Sequence, residues 1–309
     1  MRESAFIDAL RALATDPAAR GLRDDAAVLE VGGTRLVLTH DMLVEGVHFL
    51  PDDPPQDVAW KLLAVNLSDL AAKGARPLGV LLGFPLGDED WDRGFVEGLA
   101  TALAAFGIPL LGGDTVRGPR ILGLTALGEA SGPVPARNGA RPGDRLWVSG
   151  AIGDAGAGLR VLRRELPAGE ALVERYRTPR PRLELGEALA PLVSAMLDVS
   201  DGFLLDAARM AEASGAALSV DLGSVPLSDA YLAALGPARG ARLAAASAGD
   251  DYELLFAAPP ERTCELLRLA ERLAIPLTPV GAFAAGAGLS LTDAGAPVPL
   301  PPRLGWEHG

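Results

Sequence analysis

The chain has 309 residues and a formal charge of −12, from 28 Lys plus Arg against 40 Asp plus Glu, a balance ill-suited to a nucleic-acid backbone or an anionic membrane surface. Its composition, 49% hydrophobic and 22% charged, excludes wholesale disorder, and its one cysteine, Cys264, excludes an internal disulfide or a cysteine-cluster metal site. The start shows no apolar core of signal-peptide length, and the longest apolar run, 78–86, holds Gly83 and Pro85 and falls short of the ~20 residues that cross a bilayer, so a cytoplasmic protein is expected.

Helical and strand patterns alternate along the chain. Apolar spacing predicts a short helix over 6–13, then strands over 27–31 and 35–39 joined by Gly32-Gly33-Thr34 as a hairpin. A long helix is expected over 57–73, ended by Gly74 and Pro77, followed by a strand over 78–84, a helix over 91–106 and strands over 108–111 and 121–130. The Pro- and Gly-rich segment 131–135 reads as a linker, giving domains of 1–134 and 135–309. Beyond it, strands are predicted over 145–149, 195–199, 217–222, 252–257 and 279–283, with helices near 158–164, 183–192, 204–213 and 261–273. Both halves mix the two element types, so the fold class is α+β in two domains.

Acidic residues concentrate in short motifs: Asp24-Asp25, Thr39-His40-Asp41, Asn66-Leu67-Ser68-Asp69, Gly112-Gly113-Asp114-Thr115, Asp198-Val199-Ser200-Asp201-Gly202 and Gly249-Asp250-Asp251-Tyr252-Glu253. Asp41, Asp114 and Asp198 each follow an apolar strand run. Carboxylates gathered above a sheet repel one another unless cations neutralise them, and an oxygen-only donor set suits Mg²⁺. Taken singly, an Asp before Gly or Ser is turn or cap chemistry, and that reading is adopted for Asp206, Asp221, Asp229 and the 88–90 loop. Asn66 and Asp69 share a helix face, while Lys73 extends it as a surface ion pair. Trp60, Leu63 and Leu67 form an apolar stripe of core residues.

Other signals are weaker. The Gly-rich run 150–158 stands where a phosphate-cradling loop would, but misses the dinucleotide fingerprint, and a close backbone crossing explains it as well. The only lysines are Lys61 and Lys73; Leu62 and Gly74 follow them, so there is no P-loop, and no His-Arg-Asp or Asp-Phe-Gly triplet occurs. Of three histidines, His48 sits just past the Asp41 motif, where it could face a ligand phosphate, and His308 is expected to be solvated.

Together these motifs, with Val44-Glu45-Gly46-Val47-His48-Phe49 and Ala64-Val65-Asn66-Leu67-Ser68-Asp69-Leu70-Ala71-Ala72, resemble the thiamine-monophosphate kinase family, within the superfamily of aminoimidazole ribonucleotide synthetase. The resemblance implies an N-terminal domain forming a β-barrel across a homodimer interface and a C-terminal α/β domain. It implies transfer of the ATP γ-phosphoryl group to thiamine monophosphate, giving thiamine diphosphate, with several Mg²⁺ ions. By position, Asp25, Asp41, Asp69, Asp114, Asp198 and Asp201 correspond to metal ligands. Thr39 and His40 stand where the family contributes a further metal contact. Gly113, Asp114, Arg137 and Ser200 would touch ATP; His48, Asp250 and Trp306 would face the acceptor. The chain departs from the pattern at Arg23, where the family has Gly, and at His40, where it has Thr or Ser. Two readings stay open beside this one: another ATP-using enzyme of the superfamily, such as aminoimidazole ribonucleotide synthetase, and a non-catalytic Mg-nucleotide sensor. Neither the N-terminal Cys–Lys of selenophosphate synthetase nor the C-terminal Cys of the hydrogenase-maturation relative is present.

Overall fold

The computed structural model describes residues 3–167 and 169–307; His308, expected to be solvated, lies outside the described residues. Helix α1 (Glu3–Arg11) and a 3₁₀ turn (Pro17–Leu22) lead into β1 (Ala27–Val31) and β2 (Thr34–Val44). Gly32 and Gly33 both take positive φ, 58° and 86°, which is what a two-residue hairpin loop demands. Strand β2 runs well beyond its predicted end at Thr39 because it pairs with a long partner, from Arg35↔Ala130 to Val44↔Ile121. Asp41 therefore lies inside the strand rather than past it.

Helix α2 (Pro55–Ala72), β3 (Arg76–Leu86), α3 (Glu89–Phe106), β4 (Leu110–Arg117) and β5 (Ile121–Ala130) complete the first half. Asp88 caps α3 by accepting from Trp91 N at 2.9 Å, as cap chemistry predicts. The sheet order is β1-β2-β5-β3-β4, with β3 and β4 parallel across the α3 crossover and every other pair antiparallel. Asp114, like Asp41, sits within its strand.

The second half contains β6 (Arg145–Ser149), α4 (Asp154–Leu162), α5 (Glu170–Arg177), α6 (Leu183–Leu189), β7 (Ala195–Asp198), α7 (Phe203–Ser214) and β8 (Ala217–Asp221). It continues with α8 (Asp229–Leu235), α9 (Arg239–Ala246), β9 (Leu254–Ala258), α10 (Thr263–Leu273), β10 (Leu277–Ala284), β11 (Gly288–Asp293) and β12 (Ala296–Val298). The mixed sheet runs β12-β11-β8-β10-β6-β9-β7. Helices α5, α8 and α9 and strands β11 and β12 are absent from the sequence reading; each is eight residues or shorter, too brief for a clear period. The Gly-rich run resolves as packing: a Cβ on Gly158 would collide with the Leu172 carbonyl, and one on Gly156 with Ala248. No helix among the described residues is long and apolar enough to cross a membrane.

Helix α2 is the centre of the molecule. Thirteen of its eighteen residues are buried, so it has no solvent face and packs on all sides. Leu62, Leu63, Leu67 and Leu70 join the first-domain core with Val37, Val80, Phe95 and Leu124, while Ala71 and Ala72 pack into a cluster with Trp147, Met196 and Phe256 of the second. Each fully buried leucine contributes about 1.5–3 kcal/mol. The two halves meet backbone to backbone: a Cβ on Gly186 of α6 would collide with the Ala71 carbonyl, and one on Gly74 would lie 2.5 Å from Ala190 Cβ.

The first sheet keeps one face away from α2 and α3. Strand alternation puts Leu29, Val31, Met42, Leu81, Ile121 and Val116 on it, exposed by 39–57%.

Candidate active site

Helix α2 carries polar residues that a buried helix would otherwise avoid, and each meets one acidic motif. Asn66 Oδ1 accepts from Asp41 N at 3.0 Å, while its amide donates to Leu62 O at 3.0 Å. Ser68 Oγ donates to Asp198 Oδ2 at 2.5 Å, and Asp69 accepts from the Thr39 hydroxyl. Lys73 is not the surface ion pair expected. Its side chain is fully buried, donating to Asp24 and to Met196 O and lying 2.8 Å from Asp25 Oδ2. The second domain closes over that end of α2, which an i,i+4 spacing from Asp69 could not foretell. Asp24 is also held by Arg20 at 2.6 Å, and Asp25 by Arg137.

The carboxylates sense one another. Burial pushes Asp41 up to about 6, reinforced by Asp201 and Asp25. Burial and the charges of Asp41, Asp198 and Asp25 hold Asp69 well above the usual carboxylate range, and burial and Asp25 do the same for Asp198. Asp25 goes the other way: burial would raise it, but Lys73 and Arg137 outweigh that and bring it down to about 2.

Strand β7 delivers Asp198, and the turn after it carries Ser200 and Asp201. Asp206, expected to be a cap, is one: it accepts from the amides of Asp201 and Gly202 at 3.1 and 3.2 Å. Arg209 bridges Asp206 at 3.0 Å and also pairs with Asp201. Ser200 O accepts from Asp250 N at 2.8 Å, and Asp201 O accepts from Trp306 N at 2.8 Å. The Asp198–Asp201 turn thus gathers Asp250 and the half-exposed Trp306 beside the carboxylates. His48 comes in from the first domain, its Nδ1 accepting from Val44 N at 3.0 Å.

Three predicted residues stand apart. The exposed His40 ring lies on the other face of β2, with Nδ1 2.9 Å from Thr125 Oγ1, because neighbours on a strand point oppositely; its backbone oxygen is what remains near Asp41. Gly113 and Asp114 lie on the fully exposed edge strand β4, two strands beyond β5, the neighbour of β2. Gly113 takes φ 153°, and a Cβ there would strike the Leu82 carbonyl. Arg23, the other departure, is exposed at φ −124°, a conformation open to any residue.

Among the described residues no three His, Cys, Asp or Glu side chains converge tightly enough to hold a metal ion by themselves. The donor set still fits one. Asp41, Asp69 and Asp198 are carboxylates raised by burial and by the charges of neighbouring aspartates, and Asp25 Oδ2 beside them is buried with only the Lys73 ammonium near it. Such a cluster gains from a hard cation whose remaining ligands are substrate phosphates. Arg137 Nε, also buried without an acceptor, leaves the guanidinium a donor for an anion.

Two family matches follow the same halves. Residues 23–130 match AIR synthase related protein, N-terminal domain, and 141–294 match the C-terminal domain of that family. The thiamine-monophosphate kinase of Caulobacter vibrioides is 44% identical over 305 residues, spanning 95% of this chain and 86% of that one. The Escherichia coli K12 thiamine-monophosphate kinase is 39% identical over 298 residues, spanning 93% and 91%. Among solved structures, thiamine-monophosphate kinase from Stenotrophomonas maltophilia superposes with a TM-score of 0.80 at 41% identity, covering 95% of this chain and 96% of that one. AaThiL complexed with AMPPCP and TMP superposes at 0.86 and 29% identity, covering 100% and 97%. The chain belongs to the AIR synthase related family, and within it to the thiamine-monophosphate kinases.

Proposed function

We infer that the protein transfers the γ-phosphoryl group of ATP to thiamine monophosphate, yielding thiamine diphosphate and ADP. Kinship over nearly the whole chain supports this, and the observation that carries the chemistry is the buried set Asp25, Asp41, Asp69 and Asp198 at the junction of the two domains. An acceptor phosphate oxygen attacks the γ-phosphorus as its bond to the β-bridging oxygen breaks. The attacking oxygen is already ionised near neutral pH, so alignment and charge neutralisation suffice and no general base is required. Mg²⁺ ions, held by these aspartates with Asp201, Thr39 and the His40 backbone, would neutralise the phosphate charge. Arg137, Ser200 and Gly113 orient the nucleotide; His48, Asp250 and Trp306 face the acceptor.

The exposed apolar face of the first sheet supports a homodimer in which two such sheets close a β-barrel. Edge strand β4 of one copy then meets β1 of the other, which brings Asp114 toward the partner's cluster rather than its own. The domain division at 134/135, a cytoplasmic setting, and the lack of nucleic-acid or membrane partners complete the proposal.

A coupled ADP assay over a panel of phosphorylated acceptors tests it. With saturating Mg-ATP, thiamine monophosphate should be consumed and thiamine diphosphate recovered by chromatography. Synthesis of aminoimidazole ribonucleotide instead would move the chain to the other enzyme reading, and nucleotide binding without ADP release would make it a sensor.

Acceptor contacts are separable from ATP contacts. A tryptophan ring stacked on the cationic thiazolium contributes about 0.5–2 kcal/mol. Trp306→Ala and His48→Ala are expected to raise the KM for thiamine monophosphate several-fold with that for ATP nearly constant. Parallel rises for both substrates, or a lower melting temperature alone, would assign these residues to packing.

A further inference from the structure

Lys61, the other of the chain's two lysines, is spent in the interior. Its side chain is 2% exposed, on a helix with no solvent face to receive it. The ammonium donates to Asp250 Oδ2 at 2.8 Å and to His48 O at 3.1 Å, and it stands 3.9 Å from the centroid of the Tyr176 ring. These contacts account for its three protons: a carboxylate, a carbonyl and an aromatic face. The two oxygens belong to the two acceptor-facing residues that come from opposite domains.

Each partner is itself a shaped element. Asp250 takes φ 68° and Tyr252 φ 49°, left-handed conformations that cost a non-glycine residue free energy and need external support. The second Asp250 oxygen is held by the Tyr252 hydroxyl at 3.1 Å. Tyr176 adds a hydroxyl contact to His48 O at 3.4 Å. Around this knot, Arg177 binds Asp53 at 2.8 Å and Trp60 Nε1 donates to Pro179 O at 2.9 Å, so α5 and its exit loop are sewn onto the first-domain segment that carries His48.

We propose that Lys61 is the positioning residue of the acceptor site: its ammonium locks Asp250 and the His48 turn into one rigid recognition edge, with Tyr176 as the platform beneath it, and does not itself touch substrate. The proposal rests on the reading of His48 and Asp250 as acceptor contacts. Because the Lys61 charge cancels that of Asp250, an incoming phosphate meets no net negative charge on this side of the site, whereas the opposite side depends on metal.

The test is a double-mutant cycle on the full-length enzyme with saturating Mg-ATP, using Lys61→Met, Asp250→Ala and the double variant. Lys61→Met should raise the KM for thiamine monophosphate about tenfold or more and leave the KM for ATP within about twofold, and the double variant should be no worse than Asp250→Ala. Tyr176→Leu, which keeps the ammonium but removes its platform, should shift the acceptor KM in the same direction by less, and it serves alone if Lys61→Met does not fold. Equal loss of both KM values, or effects that multiply in the double variant, would overturn the role assigned to Lys61. If Asp250→Ala and His48→Ala both leave the acceptor KM untouched, the acceptor reading fails first, which sets the two failures apart.

Discussion

Asp69→Asn is expected to lower turnover by roughly 10²–10³-fold, the scale of removing one contact that stabilises transition-state charge, while the metal-free protein becomes more heat-stable at pH 8. The two effects share one cause. Asp69 is held above the usual carboxylate range by burial and by Asp41, Asp198 and Asp25. A carboxyl whose folded value lies above its unfolded one favours the fold at low pH, and that contribution disappears as pH rises through the folded value. Once Asp69 is ionised the metal-free wild type carries the full repulsion, which Asn removes at the expense of the Thr39 contact. A relief of about 1 kcal/mol corresponds to a melting-temperature gain of a few degrees in a protein of this size. Toward pH 4 the gain should vanish, and added Mg²⁺ should reverse the order at pH 8. Scanning calorimetry with and without chelator measures this; a metal-free variant no more stable than wild type would show that the cluster is not strained.

Charging the open sheet face should have the second large effect. Leu81→Asp places a carboxylate at a position 41% exposed in one chain and central to the apolar face. Light scattering should then report about 32 kDa instead of twice that, from a chain mass of 31.9 kDa, and turnover should be lost with the shared site. Complementation separates shared sites from mere pairing. Asp41→Asn and Asp114→Asn chains, each inactive alone, should regain about one quarter of wild-type activity when mixed dimers form at random, since half the dimers carry one intact site of two. Sites built within one chain would regain none.

Much of this arrangement was legible in local pattern. The hairpin at Gly32-Gly33, the extent of β5 and β6, and Asp198 at the end of an apolar strand are local facts, and the structure places them as the sequence implies. What was not legible depends on partners far along the chain. The extension of β2 through Asp41 comes from pairing with β5, some eighty residues on. Lys61 and Lys73 look like ordinary helix-surface lysines, because their burial comes from the second domain folding onto α2. The one available signal was rarity: with 28 basic residues and only two of them lysine, one on α2 and one at its C-terminal cap, beside acidic motifs, the choice of a compact ammonium over a guanidinium marks sites where space is short.

The contact between α2 and α6 also bears on how substrates come and go. With Gly186 seated on the Ala71 carbonyl and Gly74 against Ala190, α2 and α6 touch at these points with no long side chain between them that could slide or repack. Many kinases shut a lobe or lid over the nucleotide; here a hinge at the α2–α6 seam would have to break these contacts. Parting the two helices would cost these contacts, which favours a cleft entered and left with α2 and α6 held together. Selectivity would then rest on the shape of that seam more than on its closing.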